Sequence, residues 1–146
     1  MGRGTCEGKT PISPMPSIRI TVPTPSHQAL VPVTDKIAQA VGLLGIEEGA
    51  VHLFVLHTTC GLLINENADP DVARDILRRL EEMVPWRDPK DRHGEGNTAA
   101  HVRSSLVGSS LTIPVQGGSL VLGTWQGVFL AEFDGPRTRQ VVVTAV

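Results

Sequence analysis

From Ser17 to Thr24 the chain alternates, with Ile18, Ile20 and Val22 set against Ser17, Arg19 and Thr21, the period-two pattern of a strand with one wet face. From Thr34 to Leu44 the period changes. Ile37, Val41 and Leu44 share one helical stripe, Thr34 stands where an N-cap belongs and Gly45 where a helix stops. Val51 to His57 is apolar and β-prone, and Leu62 to Ile64 resumes after Gly61. This predicts two strands, or one bulged strand around a tight bend. Asp69 and Pro70 then open a second helix, capped by the first and started by the second. Its expected buried stripe is Val72, Ile76, Leu77, Leu80 and Val84, with Asp75 and Arg79 as an outer i,i+4 pair, and Pro85 ends it. Residues 85–97 are too polar and too broken by Pro and Gly for an element, so they read as a long loop. Ala99 to Leu106 has room for two further helical turns. The last third is β: Leu111–Val115, Leu120–Leu122, Trp125–Phe133 and Arg139–Val146, separated by Gln116-Gly117-Gly118-Ser119, Gly123 and Asp134-Gly135-Pro136. Helices early and strands grouped late predict a single compact β-rich α+β domain over residues 17–146, with largely antiparallel sheets and two main helices.

A chain of 146 residues is one ordinary domain, and 40% hydrophobic with 19% charged residues is too apolar and too weakly charged for disorder. Residues 1–16 differ: three Gly, three Pro and few large apolar side chains give this N-terminal arm little to bury. A neighbouring subunit is its expected support. Thirteen Lys and Arg against fifteen Asp and Glu leave a net charge of −2, so no net field draws the molecule to nucleic acid or an anionic membrane. No apolar run approaches the roughly 18 to 20 residues that span a bilayer, and the first residues lack the apolar middle of a signal peptide, so the expected location is the cytoplasm. Cys6 and Cys60 make neither a disulfide framework nor a metal motif, and read as a tail thiol and a small core residue.

Of the five histidines, His52 and His57 lie five apart on one predicted strand and should face opposite sides of it. His57 opens His-Thr-Thr-Cys-Gly, where polar residues interrupt an apolar run; it is either a hydrogen-bonded core histidine or a site residue. Cys60 is a poor partner for it, three steps along the same strand. Asn65, Glu66 and Asn67 follow an apolar strand as three consecutive polar groups. They do not make a calcium loop, because the glycine and the distal glutamate of that motif are missing. The most chemically loaded stretch is His93-Gly-Glu-Gly-Asn-Thr-Ala-Ala-His101, where two imidazoles flank the Glu95 carboxylate and two glycines. His93, Glu95 and His101 could hold a divalent metal, or the stretch could be a flexible loop with incidental histidines. Ser104 and Ser105 lie three and four beyond His101, but no orienting acid or oxyanion motif supports serine hydrolysis. Trp125 stands between Gly123 and Gly127 in a chain without tyrosine, where it can pack internally, meet a subunit or face a flat heterocycle. Glu132 sits inside an apolar strand and needs an Arg or His partner across a sheet or a subunit.

Five segments in order, His57-Thr-Thr, Ile64-Asn-Glu-Asn-Ala-Asp-Pro70, Glu95-Gly-Asn with Ala100-His101, Ser104 to Pro114 and Leu122-Gly-Thr-Trp-Gln-Gly127, resemble the YjbQ-like family. The resemblance runs from about Ile18 to Val146. It implies the compact α+β fold of that family, a homotrimer and a pocket near the subunit boundary. It also implies the family's label of secondary thiamine-phosphate synthase, condensing an aminopyrimidine diphosphate with a thiazole phosphate; the alternative is a trimeric metal- or phosphate-ligand binding protein. With it come expected roles: His57, Asn67, His101 and Glu132 in catalysis; Asn65, Glu66, Asn97, Arg103, Ser104, Ser105, Thr124, Trp125 and Gln126 in binding a small phosphorylated heterocycle. His93, Glu95 and His101 would hold a divalent metal, Mg or Zn.

Overall fold

In the computed structural model, which describes residues 16–146, the first alternating segment is strand β1 (Ser17–Pro23) and the first helical stripe is α1 (Thr34–Leu44). Cys6 and the arm up to residue 15 lie outside the described residues. Between these elements is a short strand that the pattern reading does not contain, β2 (Ala29–Pro32). Four residues are too few to display a period. α1 ends at Gly45, whose φ of 69° is the left-handed conformation glycine adopts without a Cβ penalty. Its start differs from expectation. Val33 holds the N-cap position, and the Thr34 hydroxyl accepts from the Val128 amide at 2.9 Å.

The apolar stretch around Gly61 resolves into two strands, β3 (Gly49–Val55) and β4 (Cys60–Glu66), that belong to different sheets. His57 therefore lies in the turn between them, not on β3. The remaining elements are α2 (Pro70–Met83), α3 (Thr98–Val107), β5 (Ser110–Gln116), β6 (Ser119–Leu120), β7 (Gln126–Glu132) and β8 (Thr138–Ala145). One sheet has the order β1-β8-β3-β5-β6, the other β2-β7-β4, and every pairing is antiparallel.

The main core fills the space between the sheets, where alternate residues Val51, Leu53 and Val55 meet Val141, Val143, Leu62 and Leu130, closed by Ile37 and Val41 of α1. Burying each such side chain contributes about 1.5–3 kcal/mol. A second cluster on the far face of the smaller sheet joins Ala131 and Phe133 to Ala100 of α3, Leu77 and Leu80 of α2 and Trp86. β7 is covered on both faces, which is why its sequence runs apolar without alternating.

α2 departs from the expected stripe. Asp69 caps it, accepting from the Asp71 amide at 2.9 Å, yet none of its residues is buried. Leu77 and Leu80 reach the second cluster, while Ile76 lines an open apolar groove with Met83, which is 69% exposed. Its surface ion pairs are Asp71–Arg74 and Arg78–Glu82 in place of Asp75–Arg79. Among the described residues no helix is long and apolar enough to cross a membrane.

Candidate functional site

A buried ion pair sits where β7 ends. Glu132, 0% exposed, accepts from the Arg139 guanidinium on both oxygens, from the Thr24 hydroxyl at 2.8 Å, and from the amides of Phe133 and Asp134 at 3.0 and 3.1 Å. Burial alone would raise its pKa, but these donors outweigh it and hold the carboxyl below its ordinary range. The partner demanded by a carboxylate in an apolar strand is thus in the same chain. Arg139 also donates to the Thr59 hydroxyl at 2.8 Å, tying the turn after β3 to this pair. Gly135 closes the structure above it, because a Cβ there would collide with the Ser26 carbonyl and with Glu132 Cγ.

Over this pair opens a cleft of about 420 Å³, walled by His57, His93, His101, Glu95, Asp134 and Arg137, with Arg139 and Thr59 at its base. His57 Nε2 accepts from the Gln140 amide at 2.8 Å, which fixes the tautomer with the proton on Nδ1. Burial, then the charge of Arg139, lowers its pKa and keeps the ring neutral. His101 comes from the first turn of α3 and His93 from the preceding loop; their rings meet edge to face with centroids 5.4 Å apart. Asn97 at the start of α3 donates to Asp134 at 2.9 Å, and Arg137 donates to the same carboxylate at 3.2 Å. Asp134, Arg137 and Arg139 are site residues that the pattern reading takes only as turn and strand. The signal was two arginines beside a Gly-Pro turn, but only folding brings them to His57.

A second recess of about 470 Å³ shares His57 and His101 and adds Cys60, Ser104, Ser105 and Ser109. His57 and Cys60 thus line one recess despite their spacing, because the turn separates them from a common strand. Cys60 is a buried core thiol, its pKa pushed up to about 11 by burial. The Ser105 hydroxyl donates back to the His101 carbonyl at 2.8 Å. His52, by contrast, is on the outer face of β3 beside Thr112.

Other expected residues are elsewhere. Arg103 is 2% exposed in the second cluster, donating to the Val84 carbonyl at 3.1 and 2.7 Å and to Gln28 at 2.8 Å. It reaches neither recess. Glu66 and Asn67 line a separate groove beside the start of α2. The Asn67 backbone N–H donates to the Trp125 carbonyl at 2.8 Å, and the Gln126 side chain folds back to accept from the Gly123 backbone N–H at 2.7 Å. Trp125 projects from this tip, 63% exposed. The β4–β7 ladder runs from Cys60↔Glu132 beside the cleft to Glu66↔Gln126 beside the tip, about 20 Å at the usual rise per residue. One chain therefore holds Asn65, Glu66, Asn67, Thr124, Trp125 and Gln126 at the opposite end of the ladder from its histidines.

His93 and His101 converge, but among the described residues no three His, Cys, Asp or Glu side chains form a group that could hold an ion. His93, Glu95 and His101 are not a preassembled ligand set within one chain.

The model of the family described as UPF0047 protein YjbQ-like matches residues 18–146. The UPF0047 protein YugU of Bacillus subtilis is 48% identical over 120 residues, covering 82% of this chain and 91% of that protein. The conserved hypothetical protein TT1486 from Thermus thermophilus is 50% identical with a TM-score of 0.83, covering 88% of this chain and 99% of that one. An uncharacterized conserved protein of the same family from Clostridium acetobutylicum gives 43% and 0.85, with 88% and 99% covered. With fold and sequence in agreement along this length, the chain belongs to the YjbQ-like UPF0047 family.

Proposed function

We propose that the histidine cleft binds a small phosphorylated heterocycle and condenses an aminopyrimidine diphosphate with a thiazole phosphate. In that reaction the bond between the pyrimidine's methylene carbon and the diphosphate breaks, the thiazole nitrogen takes the carbon, and pyrophosphate leaves. The observation that carries the reading is the convergence of His57, His93 and His101 with Arg137 and Arg139 over one open cleft. Neutral His57 offers an Nδ1 proton to a leaving oxygen, and the arginines and threonines offer donors to phosphate. A divalent cation, Mg²⁺ or Zn²⁺, is part of the proposal; since only the imidazoles of His93 and His101 converge within one chain, its other ligands would have to come from the diphosphate or a second copy, and it would supply positive charge to the diphosphate. Trp125 is the expected aromatic neighbour of the pyrimidine. Since it stands at the far end of its own chain, the proposal requires the tip of a second copy, as in a cyclic homotrimer. Incubating the pure protein with both substrates and Mg²⁺ tests the reading. Thiamine phosphate is the expected product, and its absence at high protein concentration overturns the synthase.

A second reading, a trimeric binding protein for a metal or a phosphorylated ligand, draws on the balance of charge. Arg137 and Arg139 are matched in the cleft by Glu95 and Asp134, and Arg139 is already committed to Glu132. Three imidazoles in a nearly neutral cleft suit a cation as well as an anion. Metal content of protein purified without added metal, together with turnover and affinity of His57→Ala and His101→Ala, separates the two readings. Loss of affinity without any turnover to lose favours binding.

A further inference from the structure

We propose that the serine-lined recess beside the histidine cleft seats the uncharged, hydrogen-bond-donating ring of a ligand whose phosphate lies in the cleft. The two cavities meet at His57, Thr58 and His101, which line both. Their chemistry is opposite. The cleft holds Arg137, Arg139, Glu95 and Asp134, whereas the recess adds Cys60, Ser104, Ser105, Gly108 and Ser109 and has no Lys, Arg, Asp or Glu on its wall. At about 470 Å³ it falls within the roughly 300–1,000 Å³ of small-molecule sites.

The end of α3 decides which part of a ligand fits. Gly108 follows the last turn of that helix, and no basic residue stands in that turn. The negative end of the helix dipole therefore lies at the recess without a compensating cation. A phosphate placed there would lose its water and meet this field with no positive partner, while an N–H or O–H donor meets it favourably. Cys60 brings no charge either, because burial pushes its thiol up to about 11, and it offers a soft, polarisable contact to a ring.

Ser104 is the open contact in this wall. It is 7% exposed, and its hydroxyl makes no hydrogen bond among the described residues. Ser105, by contrast, is committed to the His101 carbonyl at 2.8 Å. A buried hydroxyl without a partner costs stability, and an amino group or ring nitrogen seated in the recess would satisfy it. The wall is preformed: the Leu62 amide donates to the Gly108 carbonyl at 3.0 Å, and a Cβ on Gly61 would collide with that carbonyl. The recess is open, so the other face of a seated ring stays free for the Trp125 tip of a second copy. This seat rests on the proposed reading only for the phosphate in the cleft, and it requires no condensation.

Calorimetric titration of the full chain with aminopyrimidine diphosphate, the uncharged aminopyrimidine alcohol and pyrophosphate tests this, with circular dichroism to verify folding of each variant. The aminopyrimidine diphosphate should bind more tightly than pyrophosphate. Ser104→Ala should weaken the diphosphate and the alcohol about three- to tenfold and leave pyrophosphate unchanged. Ser109→Phe, which fills the recess, should independently reduce the affinity for the aminopyrimidine diphosphate to that for pyrophosphate. Arg137→Ala should do the reverse, weakening pyrophosphate and sparing the alcohol. Recess variants that bind all three probes as the parent does overturn the proposal, and so do recess variants that lose pyrophosphate, which would make the recess the anion seat. A parent that binds none of the three overturns both this seat and the proposed function. A parent that binds them in the expected pattern yet forms no thiamine phosphate overturns the synthase alone and supports the seat.

Discussion

Glu132 is the clearest case of a residue whose surroundings are dictated by its own charge. An ionised carboxylate with no exposed surface survives because five donors converge on it, two of them from Arg139. The pair need not be a large net source of stability, since desolvating both groups offsets most of their attraction, but removing one partner strands the other. Glu132→Gln should lower the unfolding free energy by about 3–5 kcal/mol, read as a lower urea midpoint at unchanged slope. The double variant Glu132→Leu with Arg139→Met should recover a substantial part of that loss. If Glu132→Gln unfolds at the parent midpoint, the carboxylate is not held as described, and the turn carrying Thr59 is not anchored through it.

At the scale of elements, α2 and α3 are joined by a cation that forms no ion pair among the described residues. The Arg103 guanidinium of α3 donates to the Val84 carbonyl at the end of α2 and to Gln28 before β2, and lies 5.8 Å from the centre of the Trp86 ring. A cation at a helix C-terminus opposes the negative end of its dipole, and here it also uses carbonyl capacity the helix leaves open. α2 has no buried residue of its own, so this bolt and the contacts of Leu77 and Leu80 carry its attachment. Arg103→Met should cost about 2–3 kcal/mol through the unpaired carbonyl and lost charge-assisted bonds. Hydrogen exchange in the last turn of α2 should quicken well before that in β3 or β8. Uniform acceleration across the molecule would mean that α2 is held by something else.

At the scale of the whole molecule, the two halves of the expected site stand at opposite ends of the β4–β7 ladder. The proposed head-to-tail ring would resolve this by bringing the Trp125 tip of one copy to the histidine cleft of the next. Chains carrying His101→Ala and chains carrying Trp125→Ala should each lack condensation activity. Co-assembled in equal amounts, they should regain activity at about a quarter of the boundaries, where an intact cleft meets an intact tip. Co-assembly with no recovery would show that each chain works with its own residues alone.

The sequence by itself determined most of the elements, because β1, α1, β3, β5 and β8 each bury one face and so carry the period of their geometry in the pattern of apolar residues. Caps and stops at Asp69, Pro70 and Gly45 were legible for the same local reason. So was the need of Glu132 for a cationic partner, since burial of charge is costly in any fold. The tertiary structure alone decided that Arg139 is that partner, that Arg103 lies in a buried joint between α2 and α3, and that Trp125 and His101 are not neighbours within a chain. These are contacts between segments far apart in sequence or consequences of strand direction, and no local period records them. β2 escaped because four residues show no period, and the α2 stripe misled because amphipathicity specifies that a face can be covered, not that this chain covers it.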